Sequence, residues 1–171
     1  SFSSYGVGTS SHIAGSIFCS KLGVREVLHV PYKDMTAMAD LAAGRNTFHI
    51  DAWSAVVPLV KAGKLVPLAV SNTEPLPWAP QLPTIASVIK SDYEVVTWHA
   101  VFVPRSTPAD IIAFLNKEFQ AVIDLPETRE TYEQQGFLTY PPASPEEIDA
   151  FVRQDKARWK DYVETAGIQP S

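Results

Sequence analysis

EVLHVPY at residues 26–32, TAMADLAAG at 36–44 and TFHI at 47–50, ending on Asp51, follow one another closely in this chain. The first is apolar and β-branched and is stopped by Pro31, the second reads as a short helix closed by Gly44, and the third reads as a strand again. Strand, helix and strand in so short a span predict an α/β fold in which helices cover a parallel sheet. Downstream, an apolar segment through Val60 reads as another short helix and LVPLAV (65–70) as another strand. Upstream lies GVGTSSH (6–12), a glycine-punctuated turn that opens a helix. Ile13, Ile17 and Leu22 share one face of that helix, and Gly23 is placed to end it. No strand of convincing length is read ahead of the turn.

Residues 74–83 hold four prolines and read as a connector, since proline cannot supply a regular hydrogen-bond ladder. VVTWHAVFV (95–103) then reads as a long apolar strand. Two helix starts follow in capping chemistry: Thr107-Pro108-Ala109-Asp110 and Ser144-Pro145-Glu146-Glu147 each place a hydroxyl, a proline and then a carboxylate in the order a helix N-terminus favours. Ile111, Leu115, Phe119 and Val122 on the first helix, and Ile148, Phe151, Val152, Trp159, Tyr162 and Val163 on the second, form apolar faces suited to covering a sheet.

Composition narrows the function. The 171 residues carry 46% hydrophobic and 19% charged side chains, and no apolar run approaches the roughly 18–20 residues needed to span a bilayer as a helix. Nineteen acidic residues against fourteen scattered basic ones give a formal charge of −5, which offers nucleic acid no basic footprint. Cys19 is alone, so it forms no internal disulfide or multi-cysteine metal site, and its apolar neighbours read it as a buried packing thiol. There is no initiator Met and no basic-then-apolar leader, which is expected of a processed product or an excised segment.

Gly6 and Gly8 permit a tight turn that leaves the amides of Gly8, Thr9 and Ser10 free at a helix start. Such donors, with the helix dipole and nearby hydroxyls, suit an anion such as a carboxylate. The plainer alternative is that Thr9 or Ser10 only caps the helix. A dinucleotide fingerprint would need glycine where Ser11 stands, so no nicotinamide or other cofactor is expected. Tyr32 and Asp51 close two strands, where ligands of open α/β sheets collect. Asp51 is either a ligand acceptor or a turn or N-cap residue, and Tyr32 either a ligand contact or a packing side chain. His12, His29 and His49 lie on different elements without metal-ligand spacing, so no metal is expected. Trp98 lines a cleft or joins a core.

Read in order, GVGTSSHIAGSIF, HVPYKDMTAMADLAAG, the strand ending in Asp51, KAGKLVPLAVSN, PQLPTIAS, the Trp98 strand with VPRSTPADIIAFLN, and SPEEIDAFVRQDKARWKDYVETAGI resemble the solute receptors of tripartite tricarboxylate transporters, the Bug or TctC-like receptors. The resemblance runs nearly end to end. It implies a periplasmic, two-lobed, non-enzymatic receptor with a type II periplasmic-binding-protein fold, in which mixed and parallel sheets are flanked by helices. Such receptors close on di- and tricarboxylates, amino acids or aromatic acids and deliver them to membrane transporter subunits. Carried onto this sequence, it implies an anion loop over Gly6 to His12 with ligand contacts at Ser4, Thr9 and Ser10, and a strand-end contact at Asp51; Gly8, His12, Tyr32 and Trp98 join them as ligand-binding candidates on the residue reading above.

The sequence departs from the family pattern in places. Asp34 stands where glycine commonly follows Tyr-Lys, Asn46-Thr47 replace a usual valine-aspartate, and Tyr5 fills a position that is usually small. The resemblance covers the later portion of family receptors, so the N-terminal part of the fold is expected to be missing. On that mapping residues 1–95 belong to lobe two, and residues 96–171 return into lobe one. An incomplete sheet is then expected to expose strand edges and to call for a partner fragment, a swapped assembly or a rearranged domain. Two rival readings remain at this point: an α/β enzyme with His12 or Asp51 as general base, and an effector-binding regulatory module.

Overall fold

The computed structural model describes residues 1–168 as a helix-rich α/β chain with a small parallel sheet. Strand β1 (Phe2–Ser4) pairs in parallel with β2 (His29–Pro31), setting Phe2 opposite His29 and Ser4 opposite Pro31. On its other edge β1 receives Phe48 through a parallel bridge, with the Ser3 amide donating to the Phe48 carbonyl at 3.1 Å. The three residues missed by the hydrophobic pattern are therefore central. Two of them are serines, yet Ser3 and Ser4 are fully buried, because their hydroxyls find partners on the neighbouring strands: Ser3 Oγ meets His49 Nδ1 at 2.9 Å and Ser4 Oγ meets His29 Nε2 at 2.6 Å.

From β1 the chain passes through the glycine turn into α1 (Ser10–Lys21), then through β2 to α2 (Thr36–Ala42) and past the 47–50 segment to α3 (Trp53–Lys61). Helix α1 packs Ile13, Ala14, Ile17 and Cys19 inward, so the cysteine is a buried thiol as its neighbours imply. Gly15 lets the helix lie against Phe2, since a Cβ there would come within 2.5 Å of the phenyl ring. The Phe2 ring stacks on His29 and Phe48 with centroids 4.8 and 5.6 Å away. Phe18 meets Phe48 edge-on, and Tyr93 reaches back to donate to the Ala14 carbonyl.

Of the expected strands, 47–50 is reduced to the single Phe48 bridge and two more do not form. Residues 65–70 contribute one isolated parallel bridge, Val70 to Thr84, and residues 95–103 lie in no ladder. The reason is the lack of a partner: Val66, Leu68, Val101 and Phe102 are all exposed, with no described strand alongside. The proline connector instead folds into a small core of Val70, Leu76, Ala79 and Leu82 with Trp53 and Trp78 against it, and leads into α4 (Ile85–Ile89), capped by Thr84.

Two compact units emerge: Ser1–Thr97 with the described residues from Lys160 onward, and Trp98–Trp159. The second unit holds α5 (Ala109–Ile123), α6 (Pro126–Gln134) and most of α7 (Pro145–Thr165). Ser144 caps α7 as its sequence implies, with reciprocal bonds between Ser144 and Glu147. Thr107 does not cap α5. Pro108 takes the N-cap place with an extended ψ of 145° and the helix begins one residue later. Helix α6 lacks an apolar stripe to announce it, since PETRETYEQ is almost wholly polar.

Candidate functional site

In the first unit the C-terminal ends of three parallel segments meet the glycine turn, where the sheet leaves main-chain groups available to a ligand. Gly6 and Gly8 hold φ of 130° and 80°, conformations that side-chain-bearing residues rarely adopt. The turn is tied internally. The Gly6 amide donates to Ser4 Oγ at 3.1 Å, the Thr9 amide to the Gly6 carbonyl at 3.3 Å, and the Gly8 amide to His12 Nδ1 at 3.1 Å.

This corrects the expected anchor. Gly8 and Thr9 do not offer free amides, because the turn consumes both to hold its shape. The Thr9 side chain is the α1 cap: it accepts from the His12 amide and donates to the Gly6 carbonyl at 2.7 Å. The donors left over are the Ser10 and Ser11 amides, which have no acceptor among the described residues, as the first positions of a helix ordinarily do not. Ser10 is exposed at the tip of this helix start, where the dipole favours negative charge.

The other expected residues divide clearly. Ser4 is buried and braces the turn through Gly6 and His29. His12 is also buried, its ring stacked 3.8 Å from that of His29 at an interplanar angle of 9°. The Tyr32 hydroxyl donates to Asp40 at 2.8 Å and accepts from Asn46 Nδ2 at 2.9 Å, so its polar tip is occupied by protein. Asn46 is thereby explained as a donor to the Tyr32 hydroxyl, which Asp40 ties to α2, and Asp34 as the acceptor for the Thr36 amide and hydroxyl at the start of α2. Trp98 lies in the second unit, where its indole donates to the buried Asp155 at 2.6 Å and meets Phe151 edge-on. Asp155 also takes Arg158 at 2.6 Å; a carboxylate in mid-helix sequence gave no sign of this role.

Asp51 does not cap α3, whose N-cap is Ala52 without a side-chain bond. Its Oδ2 accepts from the Tyr5 hydroxyl at 2.5 Å and its Oδ1 from the Ala52 amide at 2.8 Å. His49 Nε2 lies 3.7 Å from Asp51 and, although buried, makes no hydrogen bond. Tyr5, unusual for its position, is thus the partner that occupies Asp51, and its phenol pKa is raised first by burial and then by that bond and the neighbouring negative charge. Ser3, His49 and Asp51 form a Ser-His-Asp sequence of contacts, but Ser3 is 0% exposed and cannot present a nucleophile to a substrate.

The site is electrostatically distinctive in holding three neutral imidazoles. Burial lowers the His12 pKa; burial and the adjacent His12 bring His29 from 6.5 to about 4; and burial lowers His49 against the pull of Asp51. A small anion here would meet main-chain amides, the helix dipole and hydroxyls in place of a fixed cation. Among the described residues no cluster of histidine, cysteine or carboxylate side chains is arranged to hold a metal.

Residues 1–168 match the family described as "Tripartite tricarboxylate transporter family receptor". The chain belongs to this receptor family. It is 34% identical to a "UPF0065 protein in tcbD-tcbE intergenic region" from Pseudomonas sp. (strain P51), over 95% of its own length and 48% of the relative. It is similar in structure to R. palustris Rpa4515 with adipate, with a TM-score of 0.86 and 33% identity over 99% of this chain and 56% of that one. It is also similar to the periplasmic binding protein BugD, with a TM-score of 0.77 and 27% identity over 99% of this chain and 57% of that one. The chain therefore shares the α/β fold of the matching part of these proteins and spans about half the length of the curated relatives it matches.

Proposed function

We propose that this chain forms part of a periplasmic solute-binding receptor that captures a small carboxylate and passes it to membrane transporter subunits. The observation that carries the reading is the family match over residues 1–168, with a structural relative that holds adipate. The glycine corner supplies compatible chemistry. One carboxylate oxygen would accept from the Ser10 and Ser11 amides at the start of α1, with the Ser10 hydroxyl beside them. Asp51, whose two oxygens are already held by Tyr5 and Ala52, is unsuited to meeting a carboxylate directly and would orient a ligand hydroxyl, amine or bridging water. Binding and release, without bond chemistry, account for these groups.

The reading assigns residues 1–95 to one lobe and 96–171 to the return into the other. In it, the exposed apolar residues of segments 65–70 and 95–103 take strands from the portion of the family fold beyond this match. The test is isothermal titration calorimetry of the protein in its natural length, with adipate, shorter dicarboxylates, tricarboxylates and aromatic acids beside their neutral amides. At least one acid binds and its amide does not. Equal binding of acid and amide, or heat from none of the acids, contradicts the receptor reading.

A further inference from the structure

One of the bonds that shape the glycine turn comes from a histidine on the helix it opens. Gly8 sits in open space: nothing lies within 4 Å of where its Cβ would be, so packing does not fix its peptide plane. Its amide is instead fixed by one bond, to His12 Nδ1 at 3.1 Å. The His12 ring cannot turn freely, because it stacks on His29 of β2 at 3.8 Å and faces Phe2 of β1 at 6.2 Å. A nitrogen that accepts from an amide must have its lone pair free, so the His12 proton resides on Nε2.

We propose that His12 is the positioning residue of the anion corner: its neutral Nδ1 holds the Gly8 amide, and through it the Ser10 and Ser11 amides, in ligand-ready alignment, and protonation releases them. A proton from solvent that takes the Nδ1 lone pair forms an N–H bond directed at the Gly8 N–H. Two donors then face each other, and the Gly8 peptide must swing away.

No neighbouring acid compensates for that charge. The titratable group packed against His12 from β2 is His29, whose Nε2 is engaged by Ser4, and Phe2 from β1 is apolar. The nearby Asp51 carboxylate accepts from Tyr5 and Ala52, with His49 beside it. Burial alone sets the direction of the His12 pKa, downward from 6.5, which keeps the ring neutral at neutral pH and places release in the acid range.

The effect on affinity rests on the receptor reading above; the effect on the turn does not. The experiment follows the Gly8 amide and His12 ring resonances by NMR from neutral to acid pH without ligand. It then measures affinity for the acid found by calorimetry in wild type, His12→Asn and His12→Ala. Asparagine places Oδ1 where Nδ1 stood and cannot titrate in this range; alanine removes the acceptor.

In the wild type the Gly8 resonance moves with the His12 titration, and below its midpoint affinity falls about tenfold per pH unit, as the competent fraction does. His12→Asn binds as the wild type does at neutral pH and lacks that fall, while His12→Ala binds weakly throughout. A Gly8 resonance indifferent to the His12 titration overturns the proposal, as does a His12→Asn protein whose affinity declines in acid as steeply as the wild type. If no acid binds, the receptor reading fails while the Gly8 titration still decides this inference.

Discussion

Residues 2–50 and residues 65–103 both contain short extended apolar segments, but only the first group forms a sheet. Phe2, at the centre of the first, is 3% exposed and stacked between rings, whereas Phe102 in the second is 68% exposed. The β-branched composition of the second group is at least as strong. What separates them is pairing: β1 forms a ladder with β2 and takes the Phe48 bridge on its other edge, whereas residues 65–70 make one isolated bridge and residues 95–103 none. Extended propensity is a preference for a half-buried pleated surface and becomes a strand only when another backbone supplies that surface.

Substitutions break this comparison in graded fashion. Phe2→Ala removes the ring at the centre of the paired region and lowers unfolding free energy by about 3–5 kcal/mol in urea denaturation. Phe102→Ala, its counterpart among the unpaired residues, stays within about 0.5 kcal/mol in the isolated chain; a loss comparable to that of Phe2→Ala would show that residues 95–103 are in fact packed. Gly15→Ala drives a methyl into the Phe2 ring and costs about 1–3 kcal/mol by the same measurement.

Acid attacks the paired region without mutation. His12, His29 and His49 all titrate below 6.5, His29 at about 4, because burial disfavours the charged ring. Between about pH 6.5 and 4 the unfolded chain binds more protons at these positions than the folded one. Their contribution is intact above about pH 6.5 and declines as pH falls below it, with the His29 part lost by about pH 4. A urea midpoint lower at pH 5 than at pH 7 agrees with this assignment; a midpoint that rises contradicts it. Ser144→Ala, in the second unit, removes one side of the α7 capping box and costs about 1 kcal/mol, seen as a small shift of the same midpoint.

Much of the helical frame was legible because its signals are local. The glycine after α1, the short α2 and the Ser144-Glu147 reciprocity each need only neighbouring residues to be read. Strand β1 was hidden because its polarity is satisfied by residues far along the chain: Ser3 by His49 and Ser4 by His29. Helix α6 was hidden for the opposite reason, having no apolar stripe to bury. At the candidate site the glycine turn and the strand-end Asp51 were visible, but the allotment of hydrogen bonds was not. Gly8 and Thr9 looked available from spacing alone. The His12 Nδ1 and Gly6 carbonyl that consume their amides are placed there only by folding.

The central claim is that the unclaimed amides at the start of α1 receive a carboxylate. Its most direct test is the change in amide proton and nitrogen shifts when the protein in its natural length is titrated with the acid that binds in calorimetry. The account predicts the largest hydrogen-bonding shifts at Ser10 and Ser11, with those of buried amides far from the turn unchanged. Saturable binding that leaves Ser10 and Ser11 unmoved would contradict it.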